Sequence, residues 1–318
     1  DRLIKRSLAG FFKPLFLGEL PDSEETHLAL FGYDPRKILS GRPTSAKATA
    51  GRGVFELLGI GEKLSPKDIC LRANLATINE RGEVLDRRAG RIPNDKAKAI
   101  VKKLNGLVIN KIRFVVKHVY QHRLGIILKG SNLSDQISDT DNKHIRKIKE
   151  CQPLDKSPSA KRAAQALNLF LAKARIILNG QKPANFILTR GAGRMIKVQS
   201  FSDRWGLRAG CLSKGALYRG VARFLGMDII SEPSGDALSA KYLRQKLQTP
   251  NQSLEKYDFI FCHIKGADLL AEDGQALKKK KFIETIDREM KVLENSKSVL
   301  LVVTSDHATS SVRKSHAT

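Results

Sequence analysis

The chain has 318 residues, of which 41% are apolar, so it can bury the core of one large domain or of two smaller ones. It carries 57 lysine and arginine residues against 32 acidic residues, and the resulting net charge of +25 favours anionic partners. No apolar stretch is long enough to span a bilayer, and the four cysteines are too widely spaced for a zinc ribbon or a disulfide scaffold, so we expect a reducing cytoplasm.

The basic residues are scattered through helical and strand-like segments rather than gathered in one tail. Aromatic residues make up only 6% of the chain, and no RNA-stacking motif combines them with the basic residues. The four lysines at 278–281 fit a solvated helix face. We therefore interpret the positive charge as partly serving to attract a small anionic substrate and partly reflecting the composition of the protein's lineage. A nucleic-acid partner is disfavoured.

The first part of the chain has a helical pattern over residues 24–31, with Ser23 directly before it and His27 one turn further on. A serine at a helix N-terminus meets free backbone N–H groups and the positive end of the helix dipole, which favours a bound phosphoryl group. Serine is also a preferred helix cap, and spacing alone favours the cap by about two to one. The small, basic residues 41–53 predict a surface loop.

Residues 65–153 show the order hairpin, helix, hairpin, which predicts a small α+β insert. A strand at 68–78 turns back into a short second strand, an amphipathic helix follows at 94–105, and strands at 111–119 and 123–128 form the second hairpin. Arginine forks match phosphate and carboxylate groups bidentately, so basic turns here are candidate anion clamps, and the alternative is a solvated basic loop, which the high overall charge makes common. The candidates are Arg87, Arg88 and Arg91 in one turn, His122 and Arg123 at the start of a hairpin, and Arg190 before a Gly-Ala-Gly run.

From residue 159 onward strands alternate with helices, which predicts a mostly parallel sheet covered on both faces. The predicted strands 185–189, 257–262 and 298–303 each end at polar residues. Since open α/β sheets build their sites at the carboxyl edge of the strands, these endings indicate an enzyme.

Possible metal ligands follow the last two of these strands. Asp268 and Glu272 are spaced to share one helix face and to hold a hard cation, but a capping aspartate and an exposed glutamate are the more common outcome. An adjacent aspartate and histidine directly after a buried strand have little structural purpose, so a ligand role is better supported for Asp306 and His307 than for Asp268 and Glu272. His316 is close enough along the chain to return to the same site, although alone it is an ordinary exposed histidine.

Five segments, taken in order, carry a resemblance to a known family: residues 24–35, 51–56, 86–91, 263–268 and 305–307. Together they resemble the archaeal-type 2,3-bisphosphoglycerate-independent phosphoglycerate mutases, which are members of the alkaline phosphatase superfamily. The resemblance implies an alkaline-phosphatase-like, mostly parallel α/β sheet flanked by helices, formed by residues 1–64 and 154–318. It also implies that the α+β domain at 65–153 is inserted into this core to hold the substrate.

The resemblance implies a cytoplasmic enzyme of glycolysis and gluconeogenesis that interconverts 3-phosphoglycerate and 2-phosphoglycerate through a phosphoserine. Two divalent ions, Mn²⁺ or Mg²⁺, would assist the serine and neutralise charge on the transferring group, and domain closure would exclude water. The implied roles are Ser23 as nucleophile, Ser23, Asp306 and His307 at one metal, Asp268, Glu272 and His316 at the other, and Arg87, Arg88, Arg91, His122, Arg123 and Arg190 at the substrate.

The chain departs from the family pattern in three places. The family's opening strand, which carries a metal-binding aspartate, does not precede the first helix, and residues 42–51 look like an insertion. Position 272 is a histidine in the family, and Glu272 would shift the preference toward harder cations. Two alternatives therefore stay open: a metal-dependent phosphohydrolase of the same superfamily, or a truncated, inactive homologue that acts as a basic binding protein.

Overall fold

The computed structural model describes residue 5 and residues 7–10, 23–39, 51–141, 147–294 and 299–317. Most of the loop predicted at 41–53 lies outside these residues. The chain divides into two compact units, the first formed by Asp1–Pro35 with Gln199–Thr318 and the second by Arg36–Val198. None of the helices in the described ranges combines the length and apolar character needed to cross a bilayer.

The described residues form helices and strands in mixed order, so the protein is a mixed α/β protein. The helices are α1 (Ser23–Leu30), α2 (Pro35–Leu39), α3 (Arg52–Gly59), α4 (Asn94–Leu104), α5 (Pro158–Ile177), α6 (Phe201–Trp205), α7 (Ala216–Phe224), α8 (Ala240–Ser253), α9 (Gly266–Glu272), α10 (Ala276–Glu289) and α11 (Lys291–Glu294). The strands are β1 (Ile69–Ile78), β2 (Val84–Asp86), β3 (Val108–Ile109), β4 (Ile112–Tyr120), β5 (Arg123–Lys129), β6 (Phe186–Gly193), β7 (Ala209–Leu212), β8 (Asp228–Ile229), β9 (Phe259–Cys262), β10 (Ala308–Ser310) and β11 (Ser315–Ala317).

The second unit is built on an antiparallel sheet in the order β2-β1-β5-β4-β3, with β6 also paired to β1. Successive side chains of a strand point to opposite faces. Ile69, Leu71 and Leu75 of β1 therefore share one apolar core with α4 and α5. Helix α3 packs on the opposite face, where a side chain at Gly53 would come within 2.5 Å of the Cys70 backbone. Glycine at this position lets the helix approach the sheet closely.

The second unit is larger than the insert predicted at 65–153, because it also contains α3, α5 and β6. The strand predicted at 185–189 does form, as part of β6, but it pairs antiparallel with β1 instead of joining a parallel sheet. The apolar face of α5 packs into the same core. Hydrogen bonds therefore hold β6, and buried apolar surface holds α5, against the antiparallel sheet. The parallel pairing that the alternation of strands and helices predicts for β6 is wrong.

The first unit contains a parallel sheet in the order β8-β7-β9, as the alternating pattern after residue 200 predicts. Helix α1 packs against α7. The Phe31 ring at the end of α1 lies edge-on to Phe261 of β9, with ring centroids 5.0 Å apart. The Trp205 indole N–H donates to the Phe31 carbonyl at 3.1 Å. These contacts fix the orientation of α1.

The strand predicted at 298–303 is wrong for the residues that the structure describes. Residues 299–303 have no ladder hydrogen bonds, and their apolar side chains are exposed, with Leu300 at 89%. A run of valine and leucine becomes a strand only when a neighbouring strand accepts its backbone hydrogen bonds. Within the described residues β9 pairs only with β7, so this run has no such neighbour.

Candidate active site

Ser23 is the first residue of α1, and both Ser23 and His27 are buried. The His27 Nδ1–H donates to the Ser23 carbonyl at 2.5 Å, which closes the first turn of the helix. Burial lowers the pKa of His27, although the nearby Asp306 carboxylate opposes this. His27 is therefore a neutral imidazole that supports the backbone of Ser23.

Two parallel strands bring further polar groups to the same place. Tyr218 lies in α7, which follows β7, and His263 directly follows β9; their rings are 3.7 Å apart, centroid to centroid. Burial raises the pKa of Tyr218, while its hydrogen bonds with Lys265 and with the Ser23 side chain oppose that shift. Tyr218 therefore stays protonated, and its hydroxyl group connects Ser23 to Lys265.

Lys265 connects the serine side of the site to a carboxylate. Its ammonium group donates to the Tyr218 hydroxyl at 3.1 Å and to Asp268 Oδ2 at 2.8 Å. Burial alone would lower the pKa of Lys265, but Tyr218 and Asp268 raise it well above its usual range, so the lysine stays positively charged. A fixed, half-buried cation beside a hydroxyl group suits a site that receives a phosphoryl anion.

A candidate metal centre lies around the same carboxylate. Asp268, His307 and His316 each offer one ligand atom, and these atoms all lie within 4.8 Å of one another. The β10–β11 hairpin explains the convergence, because Thr309 and His316 are directly opposed in its register. The Thr309 hydroxyl donates to Asp268 Oδ1 at 2.6 Å, which anchors the hairpin to α9.

This donor set fits a divalent metal ion. Ligand atoms about 2.1 Å from one ion are up to about 4.2 Å apart, so the observed group needs only a small adjustment. Burial tends to raise the pKa of Asp268, but Lys265 and Thr309 hold it below its usual value, so the carboxylate is ionised and ready to coordinate. Two imidazoles and one carboxylate suit manganese, iron or zinc better than magnesium, which prefers oxygen ligands.

The other predicted ligands lie near this group but not within it. The Asp306 carboxylate contacts His307 Nε2, with Oδ2 and the nitrogen 3.3 Å apart. Burial lowers the pKa of His316, and the negative charge of Glu272 at the end of α9 opposes this shift only in part. Contacts through Tyr218 and Lys265 connect Ser23 to Asp268. The structure thus combines His307, predicted for one metal, with Asp268 and His316, predicted for the other.

A separate arginine cluster lies in the second unit, on the α3 face of the sheet. Arg72 of β1 is opposite Arg190 of β6, and Asn74 is opposite Arg123 of β5, so these side chains share one face. Arg72 is only 7% exposed, and its guanidinium group lies 3.3 Å from the Glu56 carboxylate. Burial, together with the other arginines, pulls its pKa well below the usual range.

Several polar atoms of this cluster lack partners. Within the described residues, the buried Nε atoms of Arg72 and Arg190 and the Nδ1 atom of His122 make no hydrogen bond. Buried polar groups are normally satisfied, and an unpaired one destabilises the fold by about 1–3 kcal/mol. Arg190, Arg123 and Arg52 are the positive neighbours that lower the pKa of the buried Arg72 further, and a concentration of positive groups with unused donors is typical of an anion site.

The predicted arginine turn is arranged differently. Arg88 and Arg91 are exposed, whereas Arg87 is half-buried and paired with Asp141. Asp86 fixes the turn by accepting hydrogen bonds from the backbone N–H groups of Arg88 at 2.7 Å and Gly90 at 2.6 Å. The Arg88 charge lowers the pKa of His122, so this turn lies close to the arginine cluster.

Five residues of these sites were not predicted. A charged residue within an otherwise apolar strand is a signal for Arg72, because buried charges require partners. Lys265 stands inside the segment 263–268 that carries the family resemblance. The sequence contains no comparable signal for the others. The full set is Arg72 and Glu56 in the second unit and Tyr218, Lys265 and Thr309 in the first.

His122 provides a test of the cluster by pH. Burial lowers its pKa to about 3, and neighbouring arginines, chiefly Arg123, add to the effect. Below the unperturbed pKa of 6.5, His122 is protonated in the unfolded chain but stays neutral in the folded chain. The free energy of unfolding is therefore highest above that pH and decreases as the pH falls. We expect the free energy of unfolding to decrease by up to about 1.4 kcal/mol more per pH unit in the wild type than in His122→Gln.

The measurement is urea unfolding of both proteins between about pH 7 and pH 4. The difference between the two curves isolates His122 from all other titrating groups. Parallel curves over this range would contradict the buried, neutral imidazole.

The fold and the site define a class of protein before any comparison. A buried hydroxyl, a fixed ammonium group and a carboxylate–imidazole cluster lie together in the first unit, and this combination is typical of enzymes that act on phosphorylated anions.

Comparison with known proteins identifies the family. The family model for 2,3-bisphosphoglycerate-independent phosphoglycerate mutase matches residues 5–185, more than half of the chain. An Ignicoccus hospitalis protein of that name is 36% identical over 99% of this chain and 78% of its own length. A Methanocaldococcus jannaschii enzyme of the same name is 33% identical over 100% of this chain and 78% of its own. The chain belongs to the 2,3-bisphosphoglycerate-independent phosphoglycerate mutase family.

One solved structure of that description and a second solved structure are similar to this chain. The cofactor-independent phosphoglycerate mutase from Thermoplasma acidophilum is 30% identical and has a TM-score of 0.57, with 86% of this chain and 71% of the other covered. The PH0037 protein from Pyrococcus horikoshii is 25% identical and has a TM-score of 0.73, with 95% and 72% covered. The resemblance predicted from the sequence is therefore confirmed at the level of the family.

Proposed function

We propose that this chain interconverts 3-phosphoglycerate and 2-phosphoglycerate through a phosphoserine at Ser23, with divalent metal ions held by the first unit. The observation that carries the proposal is the continuous set of contacts from the Ser23 side chain through Tyr218 and Lys265 to Asp268. A capping serine has no need of such a connection, whereas a nucleophile beside a metal centre does.

In the first transfer, the Ser23 hydroxyl loses its proton and its oxygen forms a bond to phosphorus as the bond from phosphorus to the C3 oxygen breaks, and the C3 oxygen takes up a proton. In the second transfer, the C2 hydroxyl loses its proton and its oxygen takes the phosphoryl group as the bond from phosphorus to the serine oxygen breaks, and the serine oxygen is protonated again. Tyr218 orients the serine hydroxyl, and the ammonium group of Lys265 neutralises negative charge on the phosphoryl group. The bound metal would supply a Lewis acid that lowers the proton affinity of the serine.

Asp268, His307 and His316 are proposed as ligands of one ion, and Asp306 and Glu272 as further ligands around it. The two imidazoles favour manganese over magnesium. An alkaline-phosphatase-like core for the first unit remains part of the proposal; the parallel strands β7, β8 and β9 and the polar groups at their carboxyl ends support it.

The second unit is proposed to recognise the anionic substrate through Arg72, Arg123 and Arg190, with His122 as a neutral hydrogen-bonding group. The unused donors of Arg72 and Arg190 support this role, because an anion would satisfy them. Arg87, Arg88 and Arg91 are proposed to assist from the neighbouring turn, where the exposed side chains of Arg88 and Arg91 would contact the glycerate carboxylate.

The direct test is an assay of the purified chain with 3-phosphoglycerate and Mn²⁺, without added bisphosphoglycerate. We expect 2-phosphoglycerate to form with little inorganic phosphate. Phosphate release at a rate equal to or above isomerisation would identify a phosphohydrolase instead. Neither product, from folded protein that takes up Mn²⁺, would identify an inactive homologue.

Arg72→Met tests the substrate role of the arginine cluster. Methionine keeps the packing of the stem and removes the charge, so we expect KM for 3-phosphoglycerate to rise about 10-fold to 100-fold, in line with the loss of a charge-assisted contact of about 1.5–3 kcal/mol. Arg113→Met, on an exposed position of the same sheet, is the matched control. Equal KM values for both variants would remove Arg72 from the substrate site.

A further inference from the structure

The positive charge is concentrated in one unit. Residues 36–198 contain 34 lysine and arginine residues and 12 acidic residues, a net charge of +22 out of the +25 of the whole chain. The first unit, with 23 basic and 20 acidic residues, is close to neutral. The sequence alone suggested scattered charge, because the second unit is only visible once the fold has defined its limits.

A large part of this charge lies on the outer surface of α4 and α5. The two helices lie beside each other and bury their apolar faces against the same side of the sheet. Their outer faces carry no acidic residue in α5 and one, Asp95, in α4. We call this outer face the helix surface; its exposed basic residues are Lys96, Lys98, Lys102, Lys103, Lys161, Lys173 and Arg175, together with Lys111 in the adjacent β3–β4 turn.

The helix surface is not part of the substrate site. Arg72 and its neighbours lie on the α3 face of the sheet, whereas α4 and α5 cover the other face. A helix layer about 10 Å thick and the sheet itself therefore separate the two groups of charges. This exceeds the Debye length of about 8 Å at physiological ionic strength, so the helix surface contributes little to attraction of a small anion toward the arginine cluster.

The basic residues of the helix surface are not used in ion pairs. No ion pair joins any of these eight side chains to an acidic group within the described residues, although Arg175 donates to the Glu80 backbone carbonyl, whereas Lys117 and Lys129 of the same unit are paired with Glu62 and Asp68. Unpaired like charges one helical turn apart, such as Lys98 and Lys102, repel each other and destabilise the helix slightly. An extended anion relieves this repulsion.

We propose that the helix surface of the second unit binds the phosphate backbone of nucleic acid without reading its sequence. A polynucleotide presents regularly spaced phosphates to several lysines at once, and release of its condensed counterions drives binding. Few aromatic residues are present to stack on bases, which favours contact with the phosphate backbone over base stacking. An anionic membrane is less suited, because the apolar faces of α4 and α5 are already buried in the core and leave little to insert into lipid.

The test measures binding of a fluorescent 20-nucleotide single-stranded RNA by anisotropy at several salt concentrations. The test variant removes three charges from the helix surface, Lys98→Gln, Lys102→Gln and Lys173→Gln. The matched control removes three exposed charges from the first unit, Lys278→Gln, Lys281→Gln and Lys291→Gln. Circular dichroism and thermal unfolding check that both variants fold.

For the wild type we expect a Kd in the range of about 10⁻⁶ to 10⁻⁴ M that weakens steeply with salt. The test variant should bind at least about 10-fold more weakly at low salt, and its slope of log K against log salt should be shallower by about 2, because each lost phosphate contact removes about 0.7. The control should change affinity less than about 3-fold. Saturating 3-phosphoglycerate should not displace the RNA.

Four results would each overturn the proposal. They are no RNA binding by the wild type at low salt, equal loss of binding in both variants, displacement of RNA by 3-phosphoglycerate, and tighter binding of the wild type to phosphatidylserine vesicles than to RNA. The second result would assign binding to net charge, the third to the arginine cluster and the fourth to a membrane.

Discussion

Replacing Ser23 with alanine is expected to reduce the interconversion of phosphoglycerates to background, a loss of at least about 10³-fold in kcat. Removing a nucleophile eliminates the covalent route entirely, and the residual rate then depends only on binding and electrostatics. The assay follows 2-phosphoglycerate formation at saturating substrate and Mn²⁺. Trapping a labelled phosphoserine in the wild type, but not in the variant, supplies a readout that does not depend on turnover.

The alternative role of Ser23, as an ordinary cap, makes a different prediction. Loss of a cap destabilises a helix by about 0.5–2 kcal/mol and leaves chemistry intact. Ser239→Ala is the matched control, because the Ser239 hydroxyl accepts a hydrogen bond from the Tyr242 backbone N–H at 3.2 Å at the start of α8. If Ser23→Ala behaves like Ser239→Ala, with lower stability and full activity, the phosphoserine assignment is wrong.

Removal of the metal is expected to have an effect of similar size. Protein treated with a chelator should lose activity at least about 10²-fold and regain it with Mn²⁺. Asp268→Asn should weaken Mn²⁺ binding by more than the 10-fold to 100-fold typical of residues that only support a ligand, because the amide lacks the charge that the carboxylate brings to the cluster. Isothermal titration with Mn²⁺ measures this affinity independently of turnover.

Asp287→Asn is the control for this change, since Asp287 is an exposed residue of α10 in the same unit. It should leave both Mn²⁺ affinity and activity unchanged. If Asp268→Asn binds Mn²⁺ as tightly as the wild type does, the ion binds elsewhere. The cluster of Asp268, His307 and His316 would then be a hydrogen-bonded support for the hairpin.

Individual helices and hairpins could be predicted from the sequence because the residue patterns that specify them lie within the element itself. The helix at Asn94–Leu104 follows from its apolar spacing, and the hairpin that contains Arg123 follows from alternation and a tight turn. The pairing of β6 with β1 could not be predicted in this way, since a strand's partner is chosen by contacts distant in sequence. The run at 299–303 was misassigned for the same reason, because strand propensity does not supply a neighbour.

The candidate site shows the same division. Asp268, His307 and His316 could be proposed because metal-type ligands after predicted strands are an unusual combination. Tyr218 could not, since a tyrosine two residues into an amphipathic helix looks like a core residue, and only the parallel pairing of β7 with β9 brings it beside His263. Contacts between residues that follow different strands of a sheet cannot be predicted from a single sequence.

The contact of Trp205 with α1 has a practical consequence. The chain contains a single tryptophan, and it lies in the first unit, where its ring would be 2.4 Å from a side chain placed at Gly32. Intrinsic emission excited at the red edge of protein absorbance therefore reports on the unit that carries Ser23 and is blind to the antiparallel sheet. Comparing that optical signal with far-ultraviolet dichroism, which records both units, would reveal whether they melt together or in turn.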